Sequence, residues 1–400
     1  MKIVFCYIIS ALVFCVVNLT SCNNTEPVEI LNGNVCPVPV KIEFDVASMQ
    51  NKGDFNNSRA ILPMTPEEEN PMRSVAIVQF DSEGVMQRIN SNDANHPYFH
   101  YFNLTSDENP IGQTNFELNV ELLPLKNTRI CVIANLSVER IRSLTYSESN
   151  NRQFIWNEFR ENTVDIPYIL EEINEGKSVG HVEEIYMYGQ FEGEINSNGM
   201  AVSNSVEKQL SILMARLISR LEMNIICDDG VTIPYGYKIY LGFTGIEKSA
   251  YLVPGAANFI SELVHNHVML TPVDRTDIIK ENQANNISPF YFYIAPHIVL
   301  SDINRVTKFI IWCVPETVSK DNLIINKDTD PTPNPEYNYY PIPMCNDPLQ
   351  NTPGVEGALW LNRNSLYHVN ITLTNRKTYG GRSCFYNGSH YVDIMNLIEK

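Results

Sequence analysis

A short stretch near the amino terminus alternates strictly between apolar residues and other residues, and this pattern constrains the fold more than any other feature. A period of two is typical of a β-strand with one face buried and the other exposed. The alternation therefore predicts a half-buried strand over residues 38–46. Its inward face would carry the side chains of Val38, Val40, Ile42, Phe44 and Val46.

The segment after this strand is polar and contains an arginine. Residues 51–60 are rich in Asn, Asp and Ser and end in Ser58-Arg59-Ala60, which indicates an exposed loop. Beyond the acidic run 67–69, residues 75–80 are almost all apolar and predict a buried strand. A cut between Arg59 and Ala60 would detach the first strand and open an apolar groove. The alternative is that Arg59 is an ordinary loop arginine.

The amino-terminal residues indicate export. Lys2 precedes a charge-free apolar run over residues 3–17, which has the length of a signal-peptide core and is too short to span a bilayer comfortably. Small residues before Cys22 match a lipoprotein cleavage box. We therefore expect residues 1–21 to be removed, Cys22 to carry lipid, and residues 22–36 to form a tether. The alternative is an ordinary signal peptide with a chance cysteine.

Charge and cysteine content narrow the classes of partner and of chemistry. The formal net charge of −17 disfavours nucleic acid and anionic lipid surfaces as partners. The cysteines beyond Cys22 lie far apart and form no CxxC pair, so any disulfide pairing stays open. Cys131 and Cys313 lie in apolar runs and are expected to be core residues. The other cysteines are Cys36, Cys227, Cys345 and Cys384.

Further runs predict strands separated by loops of varied length, with one short helix near residues 154–159. Regular alternation of strands and helices is lacking, which favours β-sandwiches over a doubly wound sheet. The polar stretch 192–205 is interrupted by glycines and suggests a boundary between an amino-terminal domain, 37–200, and a carboxy-terminal domain, 201–400. Within the second domain, residues 206–215 are compatible with a strand or a helix. The predicted strands cover residues 116–122, 129–135, 183–189, 209–226, 237–243, 308–314 and 360–374.

Three stretches in this order resemble the fimbrillin-type fimbrial proteins of the Bacteroidota. The first contains Ser58-Arg59-Ala60, the acidic run and the stretch 75–84, which includes the predicted strand 75–80. The second is the arginine-containing stretch 214–225. The third is the stretch 361–372, which begins Leu361-Asn362-Arg363-Asn364 and is similar to the family's "RN…Y" strand. Together with the lipoprotein box, the resemblance spans nearly the whole chain.

The resemblance implies two tandem transthyretin-like β-sandwich domains, an all-β fold with minor helical insertions. It also implies a lipidated precursor at the outer membrane, an arginine-specific cut after Arg59, and loss of residues 37–59, the strand and its loop. A strand from a neighbouring fimbrial subunit would then fill the groove. In fimbrial anchors of this family the lipid is kept and the arginine is not cut. The tail 375–400 would be a final core strand, a donor strand or a tip-specific closure.

Motifs for catalysis or cofactor binding are largely missing. The sequence contains no GxSxG, P-loop, HExxH or GxGxxG motif, so we expect neither an enzyme nor a bound cofactor or metal. The histidine pairs His96/His100 and His265/His267 lack a third ligand nearby in sequence. The leading hypothesis is a surface-exported fimbrial subunit, tip or stalk, that helps the cell adhere to a host or bacterial receptor. The rivals are a fimbrial anchor, a tethered glycan-binding lipoprotein and an exported enzyme.

Overall fold

The structure, a computed structural model, consists mainly of β-strands that pack as sheets around apolar cores. The predicted fold class, mainly β with β-sandwich packing and minor helical insertions, is confirmed. The structure describes residues 35–47, 50–51, 72–90, 93–104, 115–147, 152–165, 185–203, 205–227, 233–244, 249–254, 271–273, 279–280, 290–296, 308–319, 339–343, 363–374, 385–386 and 389–393.

The elements are numbered in chain order. Those before residue 200 are β1 (Val38–Val46), β2 (Gln50–Asn51), β3 (Ser74–Phe80), β4 (Phe99–Asn103), β5 (Asn115–Leu122), β6 (Thr128–Ala134), α1 (Val138–Thr145), β7 (Tyr146–Ser147), β8 (Arg152–Gln153), α2 (Trp156–Arg160), β9 (Thr163–Asp165) and β10 (Met187–Ile195). Those after it are β11 (Ala201–Ser203), β12 (Val206–Lys208), β13 (Leu210–Arg216), β14 (Ser219–Cys227), β15 (Tyr237–Thr244), β16 (Ser249–Tyr251), β17 (Thr271–Val273), β18 (Ile279–Lys280), β19 (Phe290–Ile294), β20 (Lys308–Pro315), β21 (Tyr339–Pro343), β22 (Ser365–Thr374), β23 (Phe385–Tyr386) and β24 (Ser389–Asp393).

The first sheet contains β1 as an interior strand. Its order is β4-β3-β6-β10-β13-β1-β5, and the short strands β11 and β12 extend it from β10. Buried side chains of β1, β5 and β13 share one apolar cluster with those of β3, β6 and β10. The sheet therefore curls so that its two halves face each other across this core.

A buried glutamine helps to hold the two ends of the curled sheet together. Gln79 in β3 is fully buried, and its Nε2 donates to the Leu123 carbonyl at 2.8 Å while its Oε1 accepts from the Leu123 N–H at 2.8 Å. The amide thus replaces the backbone partners that a neighbouring strand would give to Leu123. In β4, the His100 ring lies 2.8 Å from the Glu121 carbonyl of β5, through Nε2.

Strands β3 and β6 of this sheet are buried on both faces. All residues of β3 are buried, which fits the apolar run that predicted it. Val75 and Ile77 point into the core shared with β1, whereas Ala76 and Val78 belong to a second cluster. That cluster includes residues of both helices and residues 250, 252 and 253.

Two helices cover the second face within the described part of the chain. Helix α1 begins after Ser137, whose Oγ accepts from the Arg140 N–H at 3.3 Å, and it buries Ile141 and Leu144. Helix α2 confirms the short helix expected near residues 154–159, whereas α1 was not predicted.

The later part of the chain forms two further sheets. One has the order β18-β14-β22-β24-β23, with β19 paired to β14 and β2 paired to β22. The other has the order β17-β15-β20-β21 and contains the buried Trp312 and Cys313. Cys131 in β6 is also buried, so both cysteines expected in the core lie there. The tail contributes β24, which runs parallel to β22.

The chain passes from the first sheet to the second between β13 and β14. Residues 201–216 were assigned to the second domain, but β11, β12 and β13 pair within the first sheet. Of the glycines in 192–205, Gly199 lies in the turn of the hairpin between β10 and β11, where a tight reversal favours glycine as much as a linker does, whereas Gly193 lies within β10. Residues 206–215, for which a helix was also considered, are extended. The two-domain division itself stays a prediction.

Candidate functional site

Strand β1 lies between two strands that are distant in sequence. It is parallel to β13, with Ile42 opposite Leu210 and Val46 opposite Met214. It is antiparallel to β5, with Phe44 opposite Phe116. Within the described residues β5 pairs with no strand other than β1, so β1 is what joins β5 to the rest of the sheet.

The inward face of β1 is almost wholly removed from solvent, and the prediction of a half-buried strand is confirmed. Val40, Ile42, Phe44 and Val46 are at most 7% exposed, and Val38 packs against the same core in a partly buried position. The rings of Phe44 and Phe116 stack with their centroids 4.8 Å apart. These side chains contact the inward faces of β5 and β13, formed by Phe116, Val120, Leu122, Leu210, Ile212 and Met214.

The outward face of β1 contributes little to its retention. Lys41 Nζ lies 2.6 Å from a Glu117 carboxylate oxygen, and both side chains are about half exposed, at 48% and 45%. The hydrogen bond from Lys41 lowers the pKa of Glu117. Exposed pairs of this kind are weak, because water screens both charges. The inward face dominates, since burying an apolar side chain stabilises by about 1.5–3 kcal/mol, or about 6–12 kcal/mol for the four most buried residues of β1.

A turn from the β10–β11 hairpin lies against the start of β1. Gly199 has a φ of +75°, and a Cβ at this position would lie 2.1 Å from the Pro39 carbonyl oxygen. The Asn196 side chain accepts from the N–H groups of Asn198 and Met200 and so shapes the turn. Only glycine fits there while β1 is in place.

A buried arginine marks the end of β1, where the chain passes from the first sheet to the second. Arg216, the last residue of β13, is 2% exposed. Its Nη1 donates to the Ala47 carbonyl at 3.0 Å and to Asn364 Oδ1 at 2.9 Å. Asn364 lies just before β22, so one guanidinium joins the exit of β1, the end of β13 and the start of β22.

The adjacent Arg363 also binds backbone carbonyls. Its guanidinium donates to the carbonyl of Tyr251 at 2.6 Å and to that of Leu252 at 3.1 Å. Burial lowers the pKa of Arg363 to about 10. The sequence singled out the stretches that contain Arg216 and Arg363 only as motifs and assigned these residues no role. For Arg216, the sequence did contain a signal of a buried role: this charged residue follows Leu210, Ile212 and Met214 at the next inward-facing position of the alternation.

Several predicted site residues lie outside the described residues. These are Cys22, Arg59, Ala60, the acidic run 67–69 and the histidines His265 and His267. Of the first histidine pair, His96 Nδ1 lies 2.8 Å from Asp93 Oδ2, whereas His100 contacts a backbone carbonyl. The described residues contain no group of three or more His, Cys, Asp or Glu side chains suited to a metal ion. No helix among them is long and apolar enough to cross a membrane.

No protein-family model and no curated protein matches the sequence. Among solved structures, the chain is similar to a protein of Parabacteroides distasonis assigned to cell adhesion, with 13% identity, a TM-score of 0.49, and coverage of 86% of this chain and 90% of that one. It is also similar to the tip fimbrial protein Mfa3 of Porphyromonas gingivalis, with 12% identity, a TM-score of 0.46, and coverage of 83% and 94%.

A third similar structure is the fimbrilin FimA of Porphyromonas gingivalis, with 12% identity, a TM-score of 0.44, and coverage of 88% of this chain and 96% of that one. These three structures are of fimbrial and cell adhesion proteins of the Bacteroidota, the kind of protein that the sequence motifs resemble.

Proposed function

We propose that this protein is a surface-exported fimbrial subunit or fimbrial accessory protein. It would join its neighbours by losing strand β1 and accepting a strand from another subunit in its place. One observation carries the proposal. The first strand of the described residues is an interior strand with a fully apolar inward face, and it precedes the arginine-containing sequence 51–60. A single cut after Arg59 would separate this strand from the rest of the chain.

Loss of β1 would leave a groove suited to another strand. Neighbouring strands lie about 4.8 Å apart, so β5 and β13 would face each other across about 10 Å with unpaired backbone groups on both edges. The inward side chains of β5 and β13 would line apolar pockets at alternate spacing. An extended segment from a second subunit would restore the main-chain hydrogen bonds and fill those pockets.

The processing steps follow from the order of features along the chain. Lipid on Cys22 would hold the precursor at the outer membrane, and a cut after Arg59 would release residues 22–59 together with the lipid. That fragment contains both β1 and β2, so the opened groove would extend from the first sheet to the edge of β22. The assembled fibre would then serve adhesion to a host or bacterial surface.

The decisive experiment is the intact mass and amino-terminal sequence of the mature protein released from the cell surface. We expect a start at Ala60 and no lipid. The matched control is Arg59→Lys, which keeps the positive charge and removes the site for an arginine-specific protease. This variant should retain β1 and fail to enter polymers that withstand mild detergent.

Two outcomes would contradict the proposal of an exchanged strand. The first is a lipidated start at Cys22 with β1 retained in fully assembled protein, which would indicate an anchor or a tethered glycan-binding lipoprotein. The second is normal polymer formation by Arg59→Lys protein that has not been cut and still contains β1.

A further inference from the structure

The inward face of β13 ends in a positive charge. Leu210, Ile212 and Met214 point into the core at alternate positions, and Arg216 continues the same face. The groove that would open on loss of β1 therefore has an apolar floor that ends in a guanidinium.

This guanidinium takes the place of a ladder hydrogen bond. The Ala47 N–H donates to the Met214 carbonyl at 2.8 Å, as in a regular parallel ladder. In such a ladder the Ala47 carbonyl would next accept from the Arg216 N–H. That N–H is directed instead to Asn364 Oδ1 at 3.4 Å, and the Arg216 side chain donates to the Ala47 carbonyl at 3.0 Å.

We propose that Arg216 is a specificity-determining residue of the groove left by β1. It selects an incoming segment that continues at least one residue beyond its last apolar side chain, so that the main-chain carbonyl of that next residue accepts from the guanidinium. This inference rests on the proposed function, because it concerns the same groove. The class of ligand is an extended polypeptide from a second subunit that continues past its apolar residues at least as far as Ala47 does in β1.

The selection has a physical cause. When β1 leaves, Arg216 loses the Ala47 carbonyl as an acceptor in a site that the occupied groove shields from water. A segment that fills the apolar pockets but ends before this carbonyl would cover the guanidinium without replacing the acceptor. Hydrogen bonds to charged groups are stronger than those between neutral groups, and burial without the acceptor is costly.

Two peptides that differ by one residue test the proposal. The shorter contains residues 37–46 with a carboxy-terminal amide, which supplies an N–H in the place of the Ala47 N–H but no Ala47 carbonyl. The longer contains residues 37–47 with the same amide. Both peptides are labelled at the amino terminus. The protein begins at residue 23 and is cut at a specific protease site introduced at Arg59, and each peptide is then exchanged for the resident β1.

We expect the longer peptide to bind the unsubstituted chain about 10- to 100-fold more tightly than the shorter one, the range of a hydrogen bond to a charged group. In Arg216→Met, which keeps an apolar stem of similar length, the two peptides should differ by less than about threefold. The control Arg129→Met removes a guanidinium that binds Glu192 and lies over Trp156. It should preserve the preference.

The outcomes separate the inference from the proposed function. Equal binding of the two peptides to the unsubstituted chain would overturn the role of Arg216 while leaving strand exchange supported, and this comparison does not depend on whether Arg216→Met folds. A preference that persists in Arg216→Met would overturn it as well. If neither peptide displaces the resident strand, strand exchange is contradicted and the inference with it.

Discussion

Replacing Phe44 by alanine tests whether β1 is held by its inward face. Phe44 is fully buried, and its ring stacks on that of Phe116. Removing a buried phenylalanine leaves a cavity in addition to the lost apolar burial, at a cost of about 3–5 kcal/mol. We expect Phe44→Ala to lower the free energy of unfolding of the intact chain by about this amount in urea denaturation.

The same loss should appear as faster release of β1 once the chain is cut. Differences in affinity between variants of one interface appear mostly in the dissociation rate. Since about 1.36 kcal/mol corresponds to a tenfold change, the release rate should rise roughly 100- to 5,000-fold. In the unsubstituted chain the fragment should leave slowly, because its apolar face is buried along its length.

Fluorescence anisotropy measures this release directly. The chain carries a specific protease site at Arg59 and a label at the amino terminus of the fragment, and excess unlabelled peptide 37–51 prevents rebinding. The control is Asp45→Ala, since Asp45 lies on the exposed face of the same strand. Its release rate should stay within about threefold of the unsubstituted chain. Equal release rates for Phe44→Ala and the unsubstituted chain would refute retention of β1 by apolar packing.

Three other substitutions probe the groove and the closure of the sheet. Gly199→Ala should lower the free energy of unfolding by more than the roughly 1–2 kcal/mol that a left-handed alanine costs by itself, because its Cβ also meets the Pro39 carbonyl. Gln79→Leu should cost about 2–5 kcal/mol, because it leaves the N–H and carbonyl of Leu123 buried without their partner. Burial lowers the pKa of His100, so the unfolded chain takes up its proton more readily and stability falls as pH decreases through about 6.5. His100→Gln, which keeps an N–H donor, should lose less stability over that range in urea denaturation at each pH.

Each of these predictions has a control or a result that would contradict it. Gly236→Ala has a φ of +83° with nothing within 4 Å of the added Cβ, so it measures the backbone cost alone; an equal loss in the two glycine variants would exclude the clash with β1. For Gln79→Leu, thermal unfolding within about 0.5 kcal/mol of the unsubstituted chain would show that the amide does not support the closure. An identical pH profile in His100→Gln would assign the acid sensitivity to other groups.

Local sequence was enough to identify which residues of β1 point inward. A period of two assigns alternate residues to opposite faces whatever the neighbours are, so Val40, Ile42, Phe44 and Val46 were identified correctly. Continuous apolar runs likewise identified β3, β6 and β20, because strands covered on both faces need apolar side chains throughout. These are local properties of the chain.

Helix α1 and the extent of the first sheet were missed for a different reason. The start of α1 depends on a single capping serine and on few buried residues, a signal too short to stand out. The glycines of 192–205 fit a hairpin as well as a domain linker, and local sequence does not distinguish the two. Pairing with β10 on one side and with β1 on the other assigns β13 to the first sheet.

The neighbours of β1, in contrast, are set by the folded chain. Alternation gives a strand its faces but no partners, and β5 and β13 lie far along the chain from it. Gln79 interrupts an apolar run and Arg216 ends an apolar face, so both look like exceptions in the sequence. Their meaning comes from Leu123 and Ala47, backbone groups distant in sequence that become neighbours only when the sheet closes. A buried polar side chain is understood through its partner, and the partner is a property of the fold.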